Sequence, residues 1–417
     1  MGKLSRREFT GLLGLGLLGP YASKLAANAA AHEFRIRTIT AGVQLQNGIK
    51  LAQAEAAVAF LKRARKAFLA DGYEVQTLRI ATQPLQGYLP DWSKPATLRS
   101  LRMLDQFAVD NDVICSIGPV ITADQYQSEF ATWAAELVQE TKNISFTARV
   151  ASPETGIHQQ GLRMAAEAIH AIARATPGGE GNFRFAATAF VPAGTPFFPA
   201  AYFTQAKTFS IGLESPNLLT AAFEGAGSPA QAKQQLRTRM EAAFNPVAER
   251  ARQFVRHSGW DCLGIDASPA PGLDASIGQA IETLTGAPFG GASTLAACAT
   301  ITDVFKGLDI KTCGYSGLML PVLEDSVLAR RADEGRYGVS ELLLYSSVCG
   351  TGLDVVPLPG ATSIETLTAV IADVAALATK YQKPLSARLF PIPGKNAGEQ
   401  VSFDNPFLTA SRVMSPE

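Results

Sequence analysis

Phe34-Arg-Ile-Arg-Thr-Ile-Thr40, the run from Lys50 to Ala70, and Glu74-Val-Gln-Thr-Leu-Arg-Ile80 decide the fold. The outer two are short and rich in β-branched residues, as strands are. Between them Leu51, Val58, Leu61 and Phe68 recur at offsets of seven, three and seven, which places them on one helical face. Lys62, Arg63, Arg65 and Lys66 fall largely on the opposite, wet face. The unit therefore reads strand–helix–strand, and a parallel crossover needs such a helix.

The same alternation continues along the chain. Further strands are expected at Asp112–Ile117, Ile144–Val150, Phe183–Phe190, Thr208–Leu213, Cys262–Ile265, Thr312–Met319, Gly352–Val356 and Leu385–Phe390. Ten strands without an obvious linker predict a single ten-stranded α/β barrel with a parallel sheet. An eight-stranded (β/α)8 barrel, with two of these segments as loops, is the alternative. Pro177-Gly178-Gly179-Glu180-Gly181 is the best candidate boundary, but a strand resumes directly after it, so it reads as a surface loop.

The first residues carry a different signal. Ser5-Arg6-Arg7-Glu8-Phe9 precedes the short, Gly-diluted apolar run Gly11–Leu18, the pattern of a twin-arginine export signal. The run is too short to span the roughly 30 Å of a hydrocarbon core. Ala27-Asn28-Ala29 supplies the small residues of a cleavage site, so residues 1–29 read as the leader and 30–417 as the barrel domain. The expected partners are the twin-arginine export machinery and a small molecule, with a second copy of the chain as a further candidate. The expected location is the periplasm or outside the cell.

Lys plus Arg and Asp plus Glu both number 37, so the formal net charge is zero and no basic stripe exists for nucleic acid. No later apolar segment suits a permanent membrane anchor. Cys115, Cys262, Cys298, Cys313 and Cys349 are scattered, without a C-x-x-C pair or a His at metal-ligand spacing. Cys115, Cys262 and Cys313 read as small hydrophobes beside strand-like runs.

In parallel α/β proteins, ligands collect at the carboxyl ends of strands. At or just beyond those ends lie Glu214, Asp266, Ser268, Glu324, Asp325, Arg388 and Lys395. Asp266, Glu324 and Asp325 are candidate acid/base groups, because crowded carboxylates raise one another's pKa and keep a proton available. Arg388 and Lys395 are candidate ligands for a substrate's negative charge. Glu154 and His158 lie in a strand-end loop entering a helix and join Ser268 as candidate substrate contacts. Glu214, Asp266 and Glu324 are also candidate oxygen ligands for Mg²⁺, Mn²⁺ or Ca²⁺. Against these stand plainer roles: a helix cap for Glu324 or Asp325, a turn for Asp266 with Ser268, an interior ion pair for Arg388.

A set of motifs spans the chain. Arg37-Thr38-Ile39-Thr40-Ala41-Gly42, Arg79-Ile80-Ala81-Thr82, Ser152-Pro153-Glu154-Thr155-Gly156 and Pro192–Pro199 occupy the first half. Gly264–Pro271, Pro321-Val322-Leu323-Glu324-Asp325, Gly352-Leu353-Asp354 and Pro391-Ile392-Pro393-Gly394-Lys395 occupy the second. Together they resemble the uncharacterised family catalogued as domain of unknown function 711. The resemblance implies a ten-stranded α/β barrel related in architecture to pyruvate formate-lyase. It does not bring that enzyme's glycyl radical: Ser411-Arg412-Val413-Met414-Ser415 has no Gly to host it, and Cys349 has no neighbouring Cys. The function expected is polar acid/base catalysis, as a hydrolase, lyase or isomerase, on a small polar or anionic substrate at the barrel mouth. A periplasmic ligand-binding or sensor protein without turnover is the alternative.

Overall fold

The computed structural model describes residues 33–416 apart from Leu273. The expected leader lies outside the described residues. Strands β1 (Arg35–Val43), β2 (Val75–Thr82), β3 (Ile114–Ile121), β4 (Ile144–Ser152) and β6 (Phe185–Ala189) come from the first half of the chain. Helices α1 (Leu51–Ala70), α2 (Pro95–Asp110), α3 (Phe130–Glu140) and α4 (Gln159–Ala175) connect them, and β5 (Gly156–Ile157) folds back on β4. The second half supplies β7 (Thr208–Glu214), β8 (Asp261–Asp266), β9 (Gly352–Pro359) and β10 (Leu385–Ile392). Its helices are α5 (Pro216–Phe223), α6 (Pro229–Ser258), α7 (Ile277–Thr285), α8 (Thr294–Lys306), α9 (Ser326–Asp333), α10 (Val339–Val348) and α11 (Ile364–Tyr381). A small ribbon of β11 (Gln400–Val401) and β12 (Ser411–Arg412) completes the described chain.

The large sheet is ordered β8-β7-β1-β2-β3-β4-β6-β10-β9, with β5 beside β4. It is mostly parallel, as expected, but not throughout. β1 pairs antiparallel with β7, and β6 pairs antiparallel with β10. The two halves of the chain therefore run in opposite directions, a correction to the all-parallel expectation. The cause lies in the β6–β7 connection, residues 190–207, which contains no helix to carry the chain back for a parallel return. The expected eighth strand, Thr312–Met319, forms no regular strand. Its neighbourhood makes two isolated parallel bridges, Thr312 with Ile265 of β8 and Pro321 with Asp354 of β9.

Helix formation follows the apolar faces. α1 buries Ala54, Ala57, Val58, Phe60, Leu61, Ala64 and Phe68, the stripe its periodicity predicts. α6 is set by Ser228, whose hydroxyl accepts from the Gln231 N–H, and stops at Gly259 in the left-handed region. The ring of Phe60 stacks on Trp260 at 4.2 Å, fastening α1 to the start of β8. The main core forms where such faces meet the sheet. Pro177–Arg184 makes short helical turns rather than a free loop. There Gly179, at φ +71°, lies so close to the Pro391 carbonyl that a Cβ would sit 2.4 Å from it.

The middle of the β6–β7 connection is buried, which is unusual for a long irregular segment. Phe197, Ala200, Ala201, Tyr202 and Phe203 are all shielded from solvent. Its carbonyls cannot stay unpaired there, and hydroxyls of three strands satisfy them. Thr40 of β1 donates to Pro196 O at 2.9 Å, Ser116 of β3 to Ala201 O at 2.7 Å, and Ser210 of β7 to Gly194 O at 2.6 Å. The peptide bond between Phe198 and Pro199 is cis.

Candidate active site

The antiparallel pairing of β1 with β7 sets Arg35 opposite Glu214, the start of one strand against the end of the other. Glu214 is buried and accepts from Arg35 Nη1 at 2.9 Å, Arg37 Nη1 at 3.0 Å and Gln76 Nε2 at 2.6 Å. Only a glycine fits above this carboxylate: a Cβ on Gly272 would lie 2.2 Å from Glu214 Oε1. Arg35 is also held from outside by Glu74 and Asp274.

Arg37 continues the network inward, its Nη2 lying 3.7 Å from Glu324 Oε2. The other Glu324 oxygen accepts a short bond from Arg388 Nη2, and Arg388 Nε donates to Asp354 Oδ1 at 2.7 Å. The register of β9 against β10 slips between Ala387 and Leu389, a bulge opposite Asp354 and Val355. Val355 takes φ +49°, costly for a β-branched residue. This strained turn of the backbone accompanies the placement of Asp354 on Arg388. Burial raises the Asp354 pKa, Arg388 opposes that shift, and Glu324 reinforces it.

Arg79 of β2 is the exception in this network. It is 8% exposed, yet it makes no ion pair among the described residues. Its Nε donates to Thr77 Oγ1 at 3.1 Å, and its guanidinium carbon sits 4.8 Å from the Phe198 ring centroid. Burial and the neighbouring Arg37 and Arg388 charges lower its pKa to about 9, against the partial support of Glu324. Phe198 also lines a cavity of about 30 Å³. Arg388, Asp354, Tyr315 and Ser386 supply its polar wall, and Phe197, Pro199, Ala200 and Met319 its apolar one. Tyr315 donates its hydroxyl proton to Ser386 Oγ at 3.0 Å, and Ser386 donates onward to the Thr351 carbonyl at 3.1 Å.

The expected site residues separate into groups. Glu324 and Arg388 meet, and Glu214 joins them through Arg37. Asp266 is fully buried in its own node, accepting from Ser268 N and Oγ and from the Tyr315 and Ser316 N–H groups. Burial raises its pKa while those bonds pull it down. Gly314, at φ +63°, abuts this carboxylate, so Asp266 shapes the turn that delivers Tyr315. Ser268 belongs to the same node and accepts from Gly317 N at 3.0 Å.

Asp325 takes the capping role. It accepts from Val327 and Leu328 N–H at the start of α9, and from Ser276 Oγ and Ile277 N at the start of α7. Lys395 is half-buried in the loop after β10, with its backbone bonded to Gly360 and Ile392. Glu154 is exposed. His158 is buried at the N-cap of α4, its Nε2 2.5 Å from Thr155 Oγ1 and its Nδ1 without a hydrogen-bond partner among the described residues. Glu154 and His158 follow β4, whereas Glu214, Glu324 and Arg388 belong to the oppositely directed half. The shared carboxyl-end location expected for all of them does not exist.

Arg37, Gln76, Arg79, Asp354 and Tyr315 were not singled out from the sequence. The signal available was an arginine inside each of two strands, Arg37 and Arg79, each expensive to bury. For divalent metal, the fit is poor at Glu214 and Glu324, because guanidinium groups already face both carboxylates. Among the described residues, no group of three or more His, Cys, Asp or Glu side chains is placed to share an ion.

The family described as "Uncharacterised ACR (DUF711)" matches residues 29–405. A protein of Syntrophobacter fumaroxidans named UPF0210 protein is 28% identical over 353 residues, covering 80% of this chain and 77% of its own. A UPF0210 protein of Pyrobaculum islandicum is 29% identical over 351 residues, covering 79% and 76%. Another, from Halothermothrix orenii, is 26% identical over 370 residues, covering 83% and 80%.

Proposed function

The chain belongs to the DUF711 family, and from that premise we propose that it is an enzyme acting by acid/base chemistry on a small anionic substrate. The single observation that carries the reading is Arg79, a buried cation with no ion-pair partner among the described residues, facing the network of Arg37, Glu324 and Arg388. An uncompensated buried charge is costly, and a substrate anion is the group that would offset it. In this reading Arg79 and Arg388 orient the anion. Asp354 is the proton carrier, supported by the burial that favours its protonated form.

The interior setting rests on a closed ten-stranded barrel. The two bridges from the Thr312–Pro321 region to β8 and β9 support that closure. Hydrolase, lyase and isomerase chemistry all remain compatible with these groups. A binding protein without turnover is the second reading, favoured by the ion pairs that hold Glu324 and Asp354 on Arg388. The export proposal rests on the Arg6-Arg7 leader and places the mature protein in the periplasm or outside the cell.

The test is a turnover assay on small organic anions that raise the melting temperature, repeated with Asp354→Asn and Arg79→Gln. Loss of turnover with retained binding in Asp354→Asn supports the enzyme. Binding without turnover in the wild type leaves the sensor reading.

A further inference from the structure

Resting on the reading of Arg79 as an anion site, we infer that the ligand is a short-chain monocarboxylate, its carboxylate on Arg79 and its carbon chain on Phe198 and in the adjoining cavity. Three observations set this class. The first is the donor: among the described residues the planar Arg79 guanidinium hydrogen-bonds through Nε alone, which leaves its two terminal nitrogens for the two-pronged geometry a carboxylate matches.

The second is charge. Glu214 is taken by Arg35 and Arg37, and Glu324 and Asp354 both accept from Arg388, so Arg79 is the one cation of this network without a carboxylate at ion-pair distance among the described residues. A ligand carrying two negative charges would meet these carboxylates in a low-dielectric interior, where like-charge repulsion is strong. A monoanion meets less of it.

The third is shape. Phe198 serves both parts of the site, lying under Arg79 and lining the cavity. Phe197, Pro199, Ala200 and Met319 make the rest of that wall apolar, suited to carbon rather than to further polar groups. At about 30 Å³ the cavity admits only a very small group. The polar wall of Tyr315, Ser386 and Arg388 faces the end of the chain that would react.

The experiment is thermal-shift titration of the full chain at fixed ionic strength with acetate, propionate, butyrate and hexanoate, and separately with inorganic phosphate and sulfate. Acetate to butyrate should raise the melting temperature saturably, by several degrees at high occupancy, with hexanoate giving no shift. Arg79→Gln should abolish the response and Arg79→Lys should weaken it at least tenfold in midpoint concentration. Ala200→Val, which narrows the cavity and leaves Arg79 intact, should lose butyrate before acetate. A larger shift with phosphate or sulfate that vanishes in Arg79→Gln overturns the carboxylate class and leaves the anion site standing. No response to any of these anions, or a response that survives Arg79→Gln, overturns the assignment of Arg79 and with it the proposed function.

Discussion

Replacing Arg79 by Met should make the protein more stable while removing its anion response. The guanidinium is buried beside two other guanidinium groups, and burial with their charge lowers its pKa from the ordinary arginine value to about 9. At about 1.36 kcal/mol per pH unit, a drop of roughly 3.5 corresponds to about 5 kcal/mol of folding free energy lost to the charge at neutral pH. Removing the side chain also removes the contact with Phe198, worth about 1–2 kcal/mol, and the Thr77 bond, worth about 1 kcal/mol. The net expectation is stabilisation by about 2–3 kcal/mol, read as a higher urea midpoint at pH 7. The folded protein holds this proton less tightly than the unfolded chain. The deficit is therefore complete at neutral pH and shrinks as pH rises past about 9. Arg79→Met should lose that alkaline recovery. A variant destabilised by more than 1 kcal/mol, roughly the value of one hydrogen bond, would refute the reasoning. It would mean that Arg79 is a structural partner and not a charge waiting for one.

Arg388→Ala should behave in the opposite sense, because it strands Glu324 and Asp354 together; a loss of about 3–5 kcal/mol in chemical denaturation is expected. Asp325→Ala removes the acceptor shared by the starts of α7 and α9 and should cost about 3 kcal/mol or more, with Asp325→Asn recovering part of it in the same assay. Burial lowers the His158 pKa, with Arg149 adding to the effect and Asp124 opposing it. The unfolded chain then takes up the proton first, so this contribution is present above about pH 6.5 and fades as pH falls below it; His158→Gln should flatten the melting-temperature profile between roughly pH 7 and 5. Finally, changing Arg6-Arg7 to Lys-Lys should leave the precursor inside the cell on fractionation, and continued export would remove the twin-arginine proposal.

Much of the fold was legible because strand and helix periods differ so clearly in this chain. Leu51, Val58, Leu61 and Phe68 marked α1, and short apolar runs, β-branched in β1 to β4, marked most strands. The direction of the strands was not legible in the same way. It turned on the helix-free stretch between Phe190 and Lys207, a negative signal that periodicity does not weigh. Misjudging that turn also misplaced the site, since carboxyl ends of the two halves point to opposite sides of the sheet. Glu324 was read from its place beyond a strand, and Arg388, although within β10, from the Pro- and Gly-rich end that follows it. Arg37 and Arg79 lie within β1 and β2, where no such turn drew attention to them. Asp266 and Asp325 were visible as carboxylates beside turns, but sequence spacing could not say that backbone N–H groups already occupy both.

The buried β6–β7 connection is anchored through its carbonyls, by Thr40, Ser116 and Ser210 from three separate strands. Such anchoring is indifferent to which side chains the connection bears. Exchanging Phe198 leaves those three hydrogen bonds intact, whereas Phe197 and Ala200 also pack in a buried cluster with Ala270, Tyr315 and Met319. The backbone anchoring and the side-chain lining are in this sense distinct. Relatives that keep the three hydroxyls and vary those positions would form a series of differently shaped interiors on one unchanged frame.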